Sequence, residues 1–553
     1  MPTNKGQEIK VLYLTAQRQV WIMGALPQAL YRSENKRAHC CRMQVTRRSK
    51  MLMPTSEKIS SLSADIQFNP SLSKVLVVLF NSAEFLFLFL PLVLLIYYAL
   101  PHRQQNAFLV VASCIFYASW DWRFLLPLLC TASLDYWISR RMECLADHGV
   151  ARVIRKRYLV LSVTANLLLL GFFKYFNFFT ASATSLAHRL GWEVSVGTLE
   201  IILPVAISFY TFQAMSYTID VYRGKLHSTR SFWDFFLAVL YFPHLVAGPI
   251  QRASSLLPQV TQPRTIRADQ VWEGLHLIAW GYFKKVFIAD NLSPIVNAAF
   301  ASPEPSTAMT VLGVYAFTFQ IYGDFSGYTD IARGIAKIMG FEFVLNFNLP
   351  YFATHPSDFW RRWHISLSSW LRDYLYKPLG GSRGGAWLTY RNLMITMLLG
   401  GLWHGAAWNF VLWGFYHGAI QALHRMLEPG LRRLGLGFAA LPSLWLGLRI
   451  GAMFLLTCYG WLLFRATSLD QIGQMTLTLL HPSGGLDGAG MAKVSWIIAP
   501  LVLVQLVQWR SGDLFFMRQA WLPKPLRVVV YALMLYLTVF LGGQPQSFVY
   551  FQF

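Results

Sequence analysis

Long apolar segments separated by short polar stretches dominate the chain from residue 75 onward. A helix needs roughly 20 apolar residues to cross the hydrocarbon core of a bilayer, and shorter pieces fit where they tilt or re-enter. The pattern therefore predicts an all-α, polytopic transmembrane bundle of about ten to thirteen membrane segments, some of them interfacial or re-entrant. Eleven apolar segments carry this prediction: 75–100, 107–129, 158–179, 199–219, 235–250, 271–288, 309–322, 393–413, 444–464, 494–507 and 528–541.

Residues 1–74 differ from this pattern, because they are polar and basic and lack sustained periodicity. Their one apolar stretch, 20–30, is interrupted by Gly24 and Pro27, so it makes a poor signal sequence and a poor span. A basic arm that contacts anionic lipid is one interpretation. The favoured interpretation is a disordered extension, or sequence upstream of the true start of translation. The membrane domain is predicted to occupy residues 75–553.

Residues 345–391 form a polar and aromatic segment between two apolar ones. Helical spacing of its aromatic and leucine positions predicts one helix that lies at, or dips into, the membrane interface. His364 would lie at the edge of the aromatic face, and Arg361, Arg362 and Arg372 would occupy the other faces. The aromatic face comprises Trp360, Trp363, Leu367, Trp370, Leu371 and Tyr374.

His404 lies in a different setting, inside the apolar segment 393–413 and directly after Trp403. An ionisable side chain is costly at that depth, so it usually faces a protein interior or a water-filled site and serves function. Imidazole also has the unperturbed pKa best suited to proton transfer near neutrality. On a continuous helix, Trp408 would share the face of His404, whereas Asn409 would point away.

Two carboxylates occupy the segment that follows the apolar stretch 309–322. Asp330 and Arg333 are three positions apart, so the sequence predicts an ion pair between them on one helix. Asp324 has no local partner of this kind. It is either a structural carboxylate, which is the favoured interpretation, or a group that orients a substrate or a histidine.

Composition narrows the class of protein further. The chain is 55% hydrophobic and only 13% charged, too few charges for a soluble protein of 553 residues. Much of its net charge of +22 lies in short basic clusters between apolar segments, which indicates cytoplasmic loops rather than a nucleic-acid site. The six cysteines lack metal-ligand spacing, and no zinc, hydrolase-elbow or nucleotide-binding motif is present, so no metal site is predicted.

Several ordered segments resemble the membrane-bound O-acyltransferase family, in the bacterial branch that includes the alginate O-acetylases. The resemblance runs from about residue 75 to the C-terminus. It rests on residues 204–213, 243–252, 324–330, 358–374, 401–410 and 548–553.

The resemblance implies an active site that contains His404 and His364, with many helices around a central tunnel where donor and acceptor meet from opposite membrane sides. His404 would act as the base, and His364 or a nearby polar group would position the donor or stabilise the oxyanion. The implied acyl donor is acyl-CoA, and acetyl-CoA in particular, with no bound cofactor. Residues expected to contact substrate or donor are Asp324, Trp360, Arg361, Arg362, Trp363, Arg372, Trp403, Trp408 and Asn409.

The function implied is transfer of acetyl groups across the bacterial inner membrane for O-acetylation of an exopolysaccharide such as alginate. Its partners would be membrane lipid, a periplasmic acetyl-transfer protein and the polysaccharide. Short loops favour a relay through that protein over direct transfer, because little mass is available to grip a polymer. Acyl transfer to teichoic acid, peptidoglycan or protein is an open alternative. A polytopic transporter is a weaker one, since the spans show no clear internal repeat.

Overall fold

The computed structural model describes residues 80–147, 152–193, 197, 199–246, 248–437, 441–518 and 521–551. The predicted basic extension, 1–74, lies outside these described residues. Within them the regular secondary structure is helical and there are no strands, which confirms the all-α prediction.

Twenty α-helices are formed by the described residues, and most begin after a polar or proline-containing turn. They are α1 Leu90–Ala99, α2 His102–Asp121, α3 Leu125–Asp147, α4 Arg152–Leu170, α5 Phe176–Arg189, α6 Ile207–Tyr222, α7 Phe232–Leu240, α8 Phe242–Leu245, α9 Ala253–Thr261, α10 Ala268–Tyr282, α11 Asp290–Ala301, α12 Thr307–Ile338, α13 Pro356–Arg362, α14 Ile365–Leu371, α15 Ala386–His404, α16 Trp408–Gly437, α17 Pro442–Arg465, α18 Leu469–Leu480, α19 Gly488–Ser511 and α20 Lys524–Phe540.

Several of these α-helices adjoin short π-helical turns, which are wider, or 3-10 turns, which are tighter. Wider, π-helical turns occur frequently at functional sites, and the one between α4 and α5 contacts the candidate active site. The π-helical turns are Phe85–Phe89, Gly171–Tyr175, Phe283–Ala289 and Arg372–Tyr376. The tighter 3-10 turns are Trp122–Phe124, Pro350–Phe352, Phe516–Arg518 and Val549–Phe551.

Four helical stretches in the described residues are long and apolar enough, by length and composition, to cross a membrane. They are His102–Leu145, Arg152–Arg189, Pro442–Arg465 and Gly488–Ser511. The protein is therefore a multi-pass membrane protein. The predicted total of ten to thirteen segments stays a prediction, because α12 and similar helices carry buried polar side chains that lower their hydropathy.

The centre of the protein is α12, which packs along α10 and α11. Small residues let these helices approach closely: a Cβ atom added to Gly281 would lie 2.7 Å from the carbonyl oxygen of Gly327. The predicted pair of Asp330 and Arg333 forms within α12 at 3.2 Å, and Lys284 reaches the same carboxylate at 2.6 Å.

The prediction of one continuous interfacial helix across residues 360–374 is wrong, because the structure has two helices there. The chain breaks between α13 and α14, where Trp363 is extended and His364 adopts a left-handed conformation with φ of 43°. The neighbouring loop causes this break, since the backbone N–H of Ile365 donates to the carbonyl oxygen of Asn346. Trp363 and Trp370 are consequently buried in the protein rather than exposed at an interface.

The expectation of one helix through His404 and Trp408 is also wrong. Helix α15 ends at His404, and α16 begins at Trp408 after a turn at Gly405–Ala407. Close packing accounts for the turn, because a Cβ atom on Gly405 would lie 2.1 Å from the ring of Phe410. His404 is therefore the last residue of a helix, and Trp408 does not share its face.

Candidate active site

His404 lies at the end of α15 inside a shell of aromatic rings. Its side chain is 4% exposed, and its Nδ1 atom has no hydrogen-bond partner among the described residues. Four rings other than that of His364 surround the imidazole with centroids 5.0–5.5 Å away: Trp403, Trp413, Phe464 and Tyr550. A buried histidine without a structural partner is available for chemistry with a substrate.

The position of His404 depends on a close crossing of α15 and α16. A Cβ atom added to Gly401 would lie 2.2 Å from the carbonyl oxygen of Phe410, and one added to Gly414 would lie 2.4 Å from that of Met397. Only glycine allows the two backbones to meet this closely. The crossing holds the last turn of α15, and with it His404, against α16.

Lys174 and Tyr175 bind the carbonyl oxygens that α15 leaves free at its C-terminal end. The ammonium nitrogen of Lys174 lies 2.6 Å from the carbonyl oxygen of Trp403 and 3.0 Å from that of His404. The hydroxyl of Tyr175 donates to the carbonyl oxygen of Leu402 at 2.9 Å. The last carbonyls of a helix need such partners, and a cation there also interacts favourably with the helix dipole.

Sequence reasoning missed Lys174, although one signal was present. Lys174 is the only charged residue within the apolar stretch 158–179. A charged side chain in a membrane segment is a functional candidate by default. The side chain that it would bind could not be foreseen, because the contact joins segments more than two hundred residues apart.

His364 is fully buried and has a strained backbone. A non-glycine residue in the left-handed region costs on the order of 1–3 kcal/mol and persists only where its surroundings hold it. Asn346 does so: its carbonyl oxygen accepts from the N–H of Ile365 at 2.9 Å, and its side-chain Oδ1 accepts from the N–H of Ser366 at 3.2 Å. Strain of this kind often marks a site where a side chain must point in one direction.

The same asparagine fixes which nitrogen of His364 carries its proton. The backbone N–H of Ser366 can only donate, so the Asn346 side-chain atom that it meets is the oxygen. That oxygen lies 3.1 Å from Nδ1 of His364, and Nδ1 must therefore donate. In the neutral ring Nε2 is then unprotonated and carries a lone pair. This nitrogen has no hydrogen-bond partner among the described residues. Neutral His364 can accept a hydrogen bond but cannot stabilise an oxyanion.

The two histidines lie side by side, with ring centroids 6.3 Å apart, and the ring of Trp403 packs against both. Distant parts of the chain thus bring the two predicted site residues together. A cavity of about 220 Å³ opens onto His404, Lys174, Ser208 and Tyr550, whereas His364 is not among its lining residues. Of the two histidines, it is therefore His404 that borders this cavity.

Two hydrogen-bond donors accompany His404 at this cavity. The indole Nε1 of Trp403 and the hydroxyl of Tyr550 are both buried without a partner in the described part of the chain. Buried donors of this kind usually find a partner, so each is available to a negatively charged oxygen. Tyr550 belongs to the C-terminal segment, far in sequence from both histidines.

Asp324 has a partner that is distant in the sequence. Its carboxylate pairs with Lys285 at 2.8 Å and accepts the backbone N–H of Val549 at 2.6 Å. Lys285 also pairs with Asp290 at 2.7 Å and donates to the carbonyl oxygen of Gln546. Asp324 therefore ties the C-terminal segment to α12, next to Tyr550, instead of facing either histidine.

The remaining aromatic candidates pack rather than line the cavity at His404. Trp360 and Trp363 contact the rings of His417 and Trp461 respectively, at 5.1 and 4.7 Å. Trp408 is 54% exposed and lies 5.4 Å from Phe178.

Asn409 has a structural contact of its own. Its amide donates to the carbonyl oxygens of Phe464 and Ala466, at 3.3 and 2.9 Å, and so joins the start of α16 to the end of α17. The same residue lines a cavity of about 470 Å³ together with Trp408.

The predicted arginines lie at the surface in two groups, each around one carboxylate. Arg361 and Arg362 share Asp358, at 3.7 and 3.1 Å. Arg372, Lys377 and Arg252 share Asp373, which is thus outnumbered by cations.

The cations around Asp373 lower the pKa of its carboxyl group. Partial burial raises the pKa of Asp373, but hydrogen bonds from Arg372, Lys377 and Arg252 outweigh burial and hold the pKa below its usual range. Three cations around one permanently ionised carboxylate leave a net positive surface. Arg372 and Lys377 are more than half exposed there and can meet an anionic ligand.

Comparison with known proteins gives a consistent result. Residues 234–465, which contain both histidines, match the family model MBOAT, membrane-bound O-acyltransferase family. The probable alginate O-acetylase of Azotobacter vinelandii is 46% identical over 396 residues, 72% of this chain and 77% of that protein. The corresponding protein of Pseudomonas aeruginosa is 45% identical, over 72% and 74%. A peptidoglycan O-acetyltransferase of Helicobacter pylori is 34% identical, over 77% and 83%.

Proposed function

The chain belongs to the membrane-bound O-acyltransferase family and is an O-acyltransferase, and we propose that it transfers acetyl groups to an exopolysaccharide of the alginate type. The observation that carries this proposal is the pairing of His404 and His364, with His404 on a cavity that is also lined by Trp403 and Tyr550. Relatives named as alginate O-acetylases support the acceptor, since their identity to this chain exceeds that of the peptidoglycan relative.

We propose acetyl-CoA as the donor, with its phosphates at the cationic surface formed by Arg372 and Lys377. Guanidinium and ammonium groups bind phosphate well, and this surface has more cations than carboxylates. The acetyl thioester then has to reach the cavity at His404. A closed, apolar site protects that thioester from water and holds donor and acceptor together.

His404 acts as the base in this proposal. Its neutral imidazole takes the proton of an acceptor hydroxyl while the oxygen forms a bond to the thioester carbonyl carbon. The carbon–sulfur bond then breaks, and the proton passes from the imidazolium to the leaving thiolate. An acetyl ester and free coenzyme A are the products, so atoms and charge balance.

The oxyanion that forms on the carbonyl needs donors, and Trp403 and Tyr550 supply them. Both residues line the cavity, and each has a buried donor without a partner among the described residues. Lys174 lines the same cavity and holds the backbone of Trp403 and His404. His364 does not line the cavity, but its ring lies beside that of His404, so its role is to position His404.

The acceptor hydroxyl belongs to a periplasmic partner protein or to the polymer itself. The relay through a protein is favoured, since the described segments between helices are short and form no separate domain to hold a polymer. In either case the protein acts in the bacterial inner membrane.

Purified protein in nanodiscs tests the donor directly. Addition of acetyl-CoA and a soluble acceptor should release free thiol with the intact protein and not with His404→Ala. Thiol release by His404→Ala at the wild-type rate would contradict the assignment of the base. The same assay with acetylated product analysis separates a polysaccharide acceptor from peptidoglycan, teichoic acid or protein.

A further inference from the structure

A second, larger cavity lies away from the histidines, between α16 and α17 and beside the start of α13. Its volume is about 1360 Å³, and most of its lining is apolar. Several of the lining side chains are about half exposed, among them Leu423, Leu427 and Leu448. Because α17 is one of the helices long enough to span the membrane, such an apolar groove faces lipid rather than water.

One end of this groove is positively charged. Arg425, Arg432 and Arg449 line it together with a single carboxylate, Glu428, which pairs with Arg432 at 2.6 Å. Arg449 donates to the hydroxyl of Thr354 at 3.2 Å. Within the described ranges neither Arg425 nor Arg449 has a carboxylate partner, so the lining carries a formal charge of +2 with its histidines neutral.

The positive-inside rule assigns the charged end to the cytoplasmic side of the membrane. It is formed by the C-terminal half of α16 and the N-terminal part of α17, next to the basic pair Arg432-Arg433. Basic clusters between spans mark the cytoplasmic face, and the leaflet there is enriched in anionic lipid. A basic pocket between membrane helices on this side is a recognised binding geometry for acidic headgroups.

We propose that the groove binds one anionic phospholipid, with its acyl chains along the leucines and its phosphate between Arg425 and Arg449. Charge complementarity selects this occupant over a zwitterionic lipid, because the groove has two unpaired guanidinium groups and no unpaired carboxylate among the described residues.

The bound lipid would also support the candidate site indirectly. Arg449 contacts Thr354, and the ring of His355 stacks on that of His424 at 5.1 Å, so the groove ties the start of α13 to α16 and α17. Helix α13 leads directly to the strained His364. A lipid that holds α13 in place therefore favours the orientation of that histidine.

Native mass spectrometry tests this proposal with the full chain in nanodiscs of equal phosphatidylglycerol and phosphatidylethanolamine. After release from the disc, the wild-type protein should retain phosphatidylglycerol in preference to phosphatidylethanolamine. Arg425→Ala and Arg449→Ala should each lower that preference about fivefold, as expected when one basic contact is lost near an anionic headgroup. Arg449→Lys should keep most of it, and Arg433→Ala, one position from the groove, should keep all of it.

Three results would overturn the proposal. The first is a wild-type protein without preference between the two lipids, a measurement that depends on no variant. The second is an equal loss in Arg433→Ala, which would indicate diffuse surface charge. The third is release of phosphatidylglycerol by acetyl-CoA, which would assign the groove to the donor. Because the readout is lipid retention rather than acetylation, its failure is distinguishable from failure of the proposed acetyl transfer.

Discussion

Lys174 holds its ammonium nitrogen 3.0 Å from the carbonyl oxygen of His404. The cation thus binds the residue whose side chain is the proposed base, but through its main chain. Since α15 ends at His404, this contact and the one to Trp403 fix the last turn of the helix. Lys174 therefore holds the backbone of His404 in place beside the cavity.

Lys174→Met is expected to abolish most acetyl transfer. The substitution leaves two buried carbonyl oxygens without their donor, which costs about 1–3 kcal/mol of stability, and it frees the turn that carries His404. We would measure the amount of Lys174→Met protein in the membrane, its melting temperature by size-exclusion chromatography, and its release of thiol from acetyl-CoA.

Lys156→Met is the matched control, because Lys156 is exposed on α4 at the start of the same helical stretch. Its activity and melting temperature should equal those of the wild type. Full activity in a folded Lys174→Met protein would show that the cation neither positions His404 nor serves the reaction.

Asn346 provides a second prediction, which separates orientation from mere packing. Asn346→Ala removes the acceptor for Nδ1–H of His364 and should lower kcat about 100-fold or more, because the ring can then turn or change its protonated nitrogen. Asn346→Asp keeps an acceptor oxygen in place and should retain much more activity. Equal losses in both variants would argue that Asn346 only fills space.

The sequence predicted the class of fold and the pair of histidines, for different reasons. Apolar segment length is a local property, so an all-α membrane protein follows from it directly. His404 stands out because a titratable group is rare at that depth, and the family resemblance then added His364. The pair of Asp330 and Arg333 was predictable too, since three residues along a helix bring side chains together.

Tertiary contacts explain what the sequence left out. The break at His364 follows from hydrogen bonds to Asn346, which helical periodicity does not encode. The end of α15 follows from the packing of Phe410 against Gly405. Asp324 lacked a local partner, and its actual partners, Lys285 and the N–H of Val549, come from other elements.

Tyr550 yields a third prediction, about the oxyanion. Loss of one preorganised donor typically lowers kcat about 100- to 1000-fold, so Tyr550→Phe should reduce kcat in that range with little change in KM. Tyr536→Phe, which removes a hydroxyl from the half-exposed face of α20, should have no effect. An unchanged kcat in Tyr550→Phe would leave Trp403 as the donor to examine.

The ion pair of Asp324 and Lys285 supports a fourth prediction, about stability. Removal of one partner from a buried pair costs about 3–5 kcal/mol, and the value for Asp324→Leu should lie near 3 because Lys285 retains Asp290. Activity should fall with stability, since the carboxylate also holds Val549 beside Tyr550.

A double-mutant cycle isolates this contact. Asp324→Leu combined with Lys285→Met should destabilise less than the sum of the single changes, because each single change already removes the interaction between these two side chains. Asp269→Asn, in an exposed pair with Arg267, should alter the melting temperature very little. Additive effects in the cycle would indicate that Asp324 and Lys285 do not interact.

Ester-linked acetate on secreted exopolysaccharide tests the central claim most directly. Cells that carry the intact gene, His404→Ala, His481→Ala or no gene should be compared, with the protein level in the inner membrane measured in each. His481 is exposed at the end of α18, so its variant controls for loss of a histidine as such. We predict that acetate disappears with His404→Ala and in the deletion but persists with His481→Ala. Acetate at the wild-type level in cells that contain His404→Ala would contradict the account.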